Sequence, residues 1–246
     1  MPRLNDPTME EFPNIGTYGF SAAKLDNLGS SEYTLVNLVV DASGSVMNFE
    51  TGLEQCIKNT VRACQLSPQA DSLMIRLIKF NNGFEEIHGF KLLENINLDD
   101  YNNCLHCGGG TLLYDSVINA TEATVNYAKN LFSNDYKCNA INIILTDGDD
   151  NMSKYGQDSV KESLNKAVTS EALGSLLSVL VGVNVQNPNI SSYLKNFKDT
   201  VGFSQYIELE NADDKTLAKL TGFMSKSISS VSVALKTGGP SQALTF

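Results

Sequence analysis

Five oxygen-bearing side chains, Asp41, Ser43, Ser45, Thr111 and Asp147, occupy the positions in this 246-residue chain best suited to chemistry. Asp41, Ser43 and Ser45 alternate along a Gly-containing turn directly after the apolar run Val36-Asn37-Leu38-Val39-Val40. Thr111 follows Gly108, Gly109 and Gly110, residues that let backbone approach a site closely. Asp147 closes a second apolar run, Ile141-Asn142-Ile143-Ile144-Leu145-Thr146, and Gly148 follows where the chain must turn. Two carboxylates and three hydroxyls make an all-oxygen donor set, which suits a hard cation that keeps several waters. Mg2+ is the expected occupant, with Mn2+ or Ca2+ as substitutes, and soft metals are disfavoured.

The elements that must position these side chains follow from the hydrophobic pattern. Leu35 to Val40 is too short and too β-branched for a helix, and a near-continuous apolar run reads as a central parallel strand covered on both faces. Asp41 then emerges at the carboxyl end, the edge where ligands collect in open α/β sheets. Leu53, Cys56, Ile57, Thr60, Val61 and Cys64 recur at helical spacing and predict a first helix over 49–65. Leu73 to Phe80 reads as a strand, and Asn81-Asn82-Gly83 as a hairpin into a short strand around Glu85 to His88. A helix with the stripe Leu113, Val117, Ala120, Thr124, Ala128 and Leu131 starts just after Thr111, so its N-terminus should favour a partner's negative charge at the site. Helix over 159–169, strand over 176–183, helix over 190–197 and strand over 206–209 follow. The final helix carries Leu217, Leu220, Met224, Ile228 and Val231, with Asn211 as its expected cap. Strands alternating with helices imply an α/β fold: a doubly wound, mostly parallel central sheet with one short antiparallel edge strand and helices on both faces.

At this level the residues resemble the von Willebrand factor A (VWA) family, a Rossmann-like fold. Its metal-ion-dependent adhesion site (MIDAS) reads D-x-S-x-S, then a distant Thr, then a distant T-D-G. All five positions are filled here, over roughly residues 33 to 232. The resemblance implies that Ser43, Ser45 and Thr111 ligate the ion directly, and that Asp41 and Asp147 act directly or through water. Neutral hydroxyls leave the ion under-neutralised, while outer carboxylates orient ligands without cancelling its field. The expected function is therefore a Mg2+-dependent protein-binding adaptor, in which a partner's Asp or Glu displaces a water from the ion. The closing helix, Phe223-Met224-Ser225-Lys226-Ser227-Ile228-Ser229-Ser230, is similar to that of bacterial stress-response VWA proteins of the tellurite-resistance type, whose relatives imply kinase, phosphatase or AAA+ ATPase partners.

Composition narrows the remaining classes. Net charge of −10 with scattered Lys and Arg argues against nucleic acid, and no run of 18 apolar residues reads as a membrane span. Five Cys, an odd count, and no apolar N-terminal stretch make a cytoplasmic, disulfide-free protein the expectation. Cys56 and Cys64 fall on the inner face of the first helix, and Cys104-Leu105-His106-Cys107 supplies only half of a zinc site and reads as a loop. Asp149 and Asp150, beside Asp147, read as turn residues, with a second ion site as the sharper alternative. An enzyme is not expected: Ser43 stands where aspartyl-nucleophile phosphohydrolases carry a second Asp, and His88 and His106 lie off the site strands. The alternative function is a structural or assembly component of a larger particle, in which the ion only stiffens the loops. Residues 1–32, with Pro2, Pro7, Pro13, Gly16 and Gly19, read as an N-terminal extension whose Tyr18 to Ala22 piece adds an edge strand or docks. Residues 33–235 are the expected VWA domain and 236–246 a loose C-terminal tail.

Overall fold

Nine of the ten residues from Glu32 to Asp41 are buried, the condition expected of a strand covered on both faces. This strand is the third of eight among the described residues: β1 (Met9–Phe12), β2 (Phe20–Ala23), β3 (Glu32–Asp41), β4 (Leu73–Phe80), β5 (Phe84–Leu92), β6 (Lys137–Thr146), β7 (Leu176–Gly182) and β8 (Gln205–Glu208). Five α-helices alternate with them: α1 (Glu50–Gln65), α2 (Leu113–Phe132), α3 (Gln157–Val168), α4 (Pro188–Val201) and α5 (Asp214–Thr237). The computed structural model describes residues 6–13, 17–239 and 241–246; Pro2 and Gly16 of the expected N-terminal extension lie outside them. No described helix is long and apolar enough to cross a membrane.

The strands form one sheet in the order β1-β2-β5-β4-β3-β6-β7-β8. β4, β3, β6, β7 and β8 are mutually parallel, and β5 runs antiparallel to β4. Alternation along β3 divides the core. Val36, Leu38 and Val40 pack with Leu53 and Ile57 of α1 and Leu220 and Ile228 of α5. On the opposite face Val39 packs with Val117 of α2, Val160 of α3 and Phe197 of α4. Each such buried aliphatic side chain contributes about 2 kcal/mol against exposure. The fold is thus α/β and doubly wound with a mostly parallel sheet and an antiparallel edge. The chain leaves β3 toward β4 and leaves β6 toward β7, so the switch in winding direction lies between β3 and β6. Their carboxyl ends carry Asp41 and Asp147.

Several boundaries differ from the sequence reading. β5 is nine residues long rather than a short strand over 85–88, because it pairs with β4 from Phe84 to Leu92 and with β2 on its other side. The N-terminal segment supplies two strands, β1 antiparallel to β2 and β2 parallel to β5 through Ala22 and Phe90. β2 lies so close that a Cβ at Gly89 would meet Ser21 O at 1.9 Å. Phe20 is buried, its ring stacked on Phe12 at 4.7 Å and edge-on to Phe90 and Tyr127 at 6.4 and 6.5 Å. Glu86 ties the strands together, accepting from Arg76 Nε at 2.7 Å and Ser21 N at 3.0 Å. α4 begins earlier than expected, with Asn187 as cap and Pro188 in its first turn, and ends at Gly202 with φ of 89°. The cap of α5 is Asp213, whose carboxylate accepts from Thr216 N at 2.7 Å; Asn211 instead accepts from the Thr216 hydroxyl. Residues 241–246 lie against the domain rather than free of it: Gln205 Nε2 donates to Leu244 O at 2.7 Å and Phe246 meets Phe223 edge-on at 5.8 Å.

Because Phe20 sits in the same aromatic cluster as Phe90 and Tyr127, Phe20→Ala should lower unfolding stability by about 3 kcal/mol or more, read by urea denaturation. A cost below about 1 kcal/mol would show the N-terminal strands to be superficial.

Candidate metal site

Asp41 ends β3 with its side chain almost fully buried, 1 % exposed. Both of its oxygens are engaged: Oδ1 accepts from Ser43 N at 2.8 Å and Oδ2 from Thr146 Oγ1 at 2.7 Å. The turn after Asp41 brings Ser43 Oγ within 3.1 Å of Ser45 Oγ, and Ser45 Oγ donates to Asp147 Oδ1 at 2.8 Å. Asp41, Ser43, Ser45, Thr146 and Asp147 therefore form one hydrogen-bonded string across the carboxyl ends of β3 and β6. Thr146 is a member that the sequence reading had quoted in T-D-G without giving it a role.

Thr111 arrives by backbone contacts. Gly108 N donates to Ala42 O at 2.8 Å and Gly44 N to Gly109 O at 3.1 Å, so the glycine loop lies directly on the Asp41 turn. Gly109 has φ of 81°, a conformation costly for other residues, and a Cβ there would meet Asn82 Oδ1 at 2.6 Å. Asn82, from the β4–β5 hairpin, accepts from Gly110 N at 2.6 Å. Asn151 clasps Thr111 from the other side: its Oδ1 accepts from Thr111 N at 2.9 Å and its N donates to Thr111 O at 3.1 Å. Neither Asn was singled out from sequence. Asn82 carried a signal, since it stands in a hairpin beside one of the site strands; Asn151 carried none beyond its nearness to Asp147.

One expectation about the surroundings changes. The first-turn amides of α2 are already satisfied, Tyr114 N by Asp150 Oδ1 at 3.2 Å and Asp115 N by Ser153 Oγ at 3.1 Å. That helix end holds the chain's own carboxylate and leaves those two donors unavailable to a partner's. Asp150 is thereby committed as a cap, also accepting from Ser153 Oγ, and Asp149 is exposed, in keeping with the turn reading of both. Among the described residues no group of three His, Cys, Asp or Glu side chains is arranged to hold a metal. The loop through Cys104 and Cys107 is held by Glu54, which accepts from Asn103 N and Leu105 N at 3.0 Å, and by Lys79, which donates to Cys104 O and Leu105 O at 2.9 Å. Cys56 and Cys64 are buried under α1.

Electrostatics fit a cation. Burial pushes Asp41 from its usual 3.8 up to about 6 against the opposing hydrogen bonds from Thr146 and Ser43, with Asp147 adding repulsion. Burial also raises Asp147. Two carboxylates with hydroxyls between them, both disfavoured as anions by protein alone, match a hard divalent ion in charge and donor type. When bound, such an ion supplies positive charge with an exchangeable coordination position. The chain's own residues fix the oxygens that would hold it: the β3 turn places Ser43 and Ser45, Thr146 orients Asp41, and Asn82 and Asn151 fix the Thr111 loop.

No protein-family model and no curated protein matches the sequence. Solved structures do match in shape. The pilus adhesin SpaC from Lactobacillus rhamnosus GG superposes with a TM-score of 0.63 at 13 % identity, over 93 % of this chain and 34 % of that one. The PilB minor pilin of Streptococcus sanguinis gives 0.60 at 14 % identity, over 91 % and 67 %. Proximal thread matrix protein 1 from the mussel byssus, in a form with a zinc-occupied MIDAS motif, gives 0.53 at 17 % identity, over 81 % and 46 %. The fold is VWA-like. This VWA-like chain thus spans about a third of SpaC and just under half of the byssal protein.

The sign of the Asp41 shift gives a test. A carboxyl whose folded value lies above its unfolded value costs nothing below about pH 4, and its cost grows to full as pH rises through about 6. The rise from 3.8 to about 6 corresponds to about 3 kcal/mol. Asp41→Asn should therefore melt several degrees above wild type in EDTA at pH 7.5, with the gain vanishing near pH 4. Thermal melts at both pH values check this, and an equal gain at pH 4 would refute the buried-charge account. Asn151→Ala should weaken Mg2+ affinity by about tenfold, the range for loss of a group that orients ligands, as read by calorimetric titration.

Proposed function

We propose that the chain is a Mg2+-dependent protein-binding domain that captures an Asp or Glu side chain of a partner at a MIDAS formed by Asp41, Ser43, Ser45, Thr111 and Asp147. The observation that carries this reading is the hydrogen-bonded string from Asp41 through Ser43 and Ser45 to Asp147, with both carboxylates raised in pKa. Ser43, Ser45 and Thr111 supply neutral oxygens to the ion. Asp41 and Asp147 supply the charge that retains it. An ion held largely by hydroxyls keeps enough positive field to attract an external carboxylate. The mussel protein with zinc at its MIDAS supports metal binding as a property this fold can carry.

Two observations favour binding over the alternatives. For hydrolysis, Asp41 would serve as the nucleophile, yet it is buried with both oxygens accepting hydrogen bonds, which blunts attack. For a purely structural ion, the loops would need stiffening. They are already cross-linked by Gly44 to Gly109, Gly108 to Ala42, Asn82 to Gly110 and Asn151 to Thr111. An ion adds little rigidity there and much charge.

Mg2+ at about a hundredfold excess over its Kd should stabilise the domain by ~2.7 kcal/mol, with EDTA reversing the gain. Asp41→Ala and Asp147→Ala should abolish this response, and Zn2+ is included in the titration because the mussel site accepts it. A partner recovered on the immobilised domain in Mg2+ should elute with EDTA and should lose binding when one of its Asp or Glu residues becomes Asn or Gln. Retention of the partner by Asp41→Ala in EDTA would overturn the reading.

A further inference from the structure

We propose that the metal site lies within an apolar rim made by Met47 and Met152, and that its partner segment carries one acidic residue flanked by apolar side chains rather than an acidic stretch. The inference rests on the MIDAS reading above and adds the chemistry of the residues around the captured carboxylate. Met47 is 58 % exposed and stands two residues after Ser45. Met152 is 51 % exposed, and its backbone N donates to Thr111 O at 3.2 Å. Its side chain lies over the glycine loop: a Cβ on Gly110 would come within 2.5 Å of Met152 Cγ. Each methionine is thus tied to a different proposed ligand loop. Of the remaining described methionines, Met74 and Met224 are fully buried and Met9 is partly so.

Two further features decide what these side chains would meet. The exposed positions Asn48, Asn82 and Asn151 are uncharged, and the exposed Lys154 places its ammonium 5.3 Å from the centre of the Tyr155 ring. Asp149 is exposed beside Asp147, and its charge would repel any second acid brought in with the first. Thioether side chains deform to fit varied apolar partners and lose water on contact, which makes them suited to accepting Leu, Ile, Met or Phe without fixing which. The ion provides direction and the rim provides preference.

A displayed library of heptapeptides with a fixed central Asp and random flanks, selected on the folded protein in Mg2+ and eluted with EDTA, tests this. Wild type should enrich Leu, Ile, Met and Phe within two positions of the Asp. The double variant Met47→Ser, Met152→Ser should bind the same selected peptides about tenfold more weakly and lose the flank preference. It should also keep the Mg2+-induced rise in melting temperature. Random, basic or acidic flanks in the wild-type pool, or an apolar preference that survives in the double variant, would overturn the rim. EDTA-sensitive binding with random flanks would leave the metal reading standing while removing this one; binding that ignores EDTA would remove both.

Discussion

A carboxylate excluded from water at the end of a central strand is the constraint on which the rest of the molecule depends. Asp41 is 1 % exposed and has a second acid, Asp147, joined to it through two serines. Hydrogen bonds from Ser43 N and Thr146 Oγ1 offset part of the cost of that charge but leave it well above the ordinary carboxylate range. Only positive charge resolves the remainder, and no Lys or Arg is hydrogen-bonded or ion-paired to Asp41 among the described residues. Lys79, on the neighbouring strand β4 opposite Val40, is committed to Glu85 and to the Cys104 and Leu105 carbonyls. The site is built to be deficient in positive charge.

The scaffold makes that deficiency possible by placing it at the switch between β3 and β6, where two rigid strands diverge in their connections and loops from several elements meet. Rigidity comes from outside the donor set. Asn82 reaches in from the β4–β5 hairpin, Asn151 from the loop after β6, and Asp150 caps α2 so that the Thr111 loop has a fixed anchor. Asp115 accepts from Lys154 N and Tyr155 N, fixing the far end of the loop after β6. These contacts use amide and carboxylate groups that are not themselves proposed ligands.

What the sequence made legible was local. The β-branched runs ending in Asp41 and Asp147 defined buried strands and their carboxyl ends, and the helical stripes of α1, α2 and α5 defined inner faces that the structure reproduces. What it concealed depends on distant partners. β5 runs on to Leu92 against β4, and β2, more than 60 residues earlier, pairs with it at Phe90, a contact no local pattern announces. Asn211 and Asp213 both satisfy the rules for a cap, and the choice falls to Asp213 because its carboxylate reaches Thr216 N while Asn211 takes the hydroxyl of the same residue. Asp150, three residues after Asp147, reads from sequence as a turn residue with a second ion site as the alternative. Its carboxylate is drawn instead to the exposed amides of α2, a demand that becomes visible only when the two segments are side by side. The five proposed ligands were legible for the opposite reason, since each is fixed by its position relative to a strand end or a glycine loop.

The charge deficit also means that protons and cations compete for the same relief. A proton on Asp41 neutralises the buried charge as a bound ion would, but it supplies no exchangeable position and no field beyond the pocket. Neutralisation by a proton therefore yields a stable, closed site, whereas on the proposed reading a divalent ion would offset both carboxylates and keep a position open to an external oxygen. The two acids would just match such an ion's charge, because the remaining proposed donors, Ser43, Ser45 and Thr111, are uncharged. Were one of them an Asp, the ion would be held more tightly and would attract an external carboxylate less, since the added negative charge would cancel the outward field. On the proposed reading, affinity for the ion and attraction of a partner's carboxylate are opposed quantities, and two acids with three hydroxyls would favour the second.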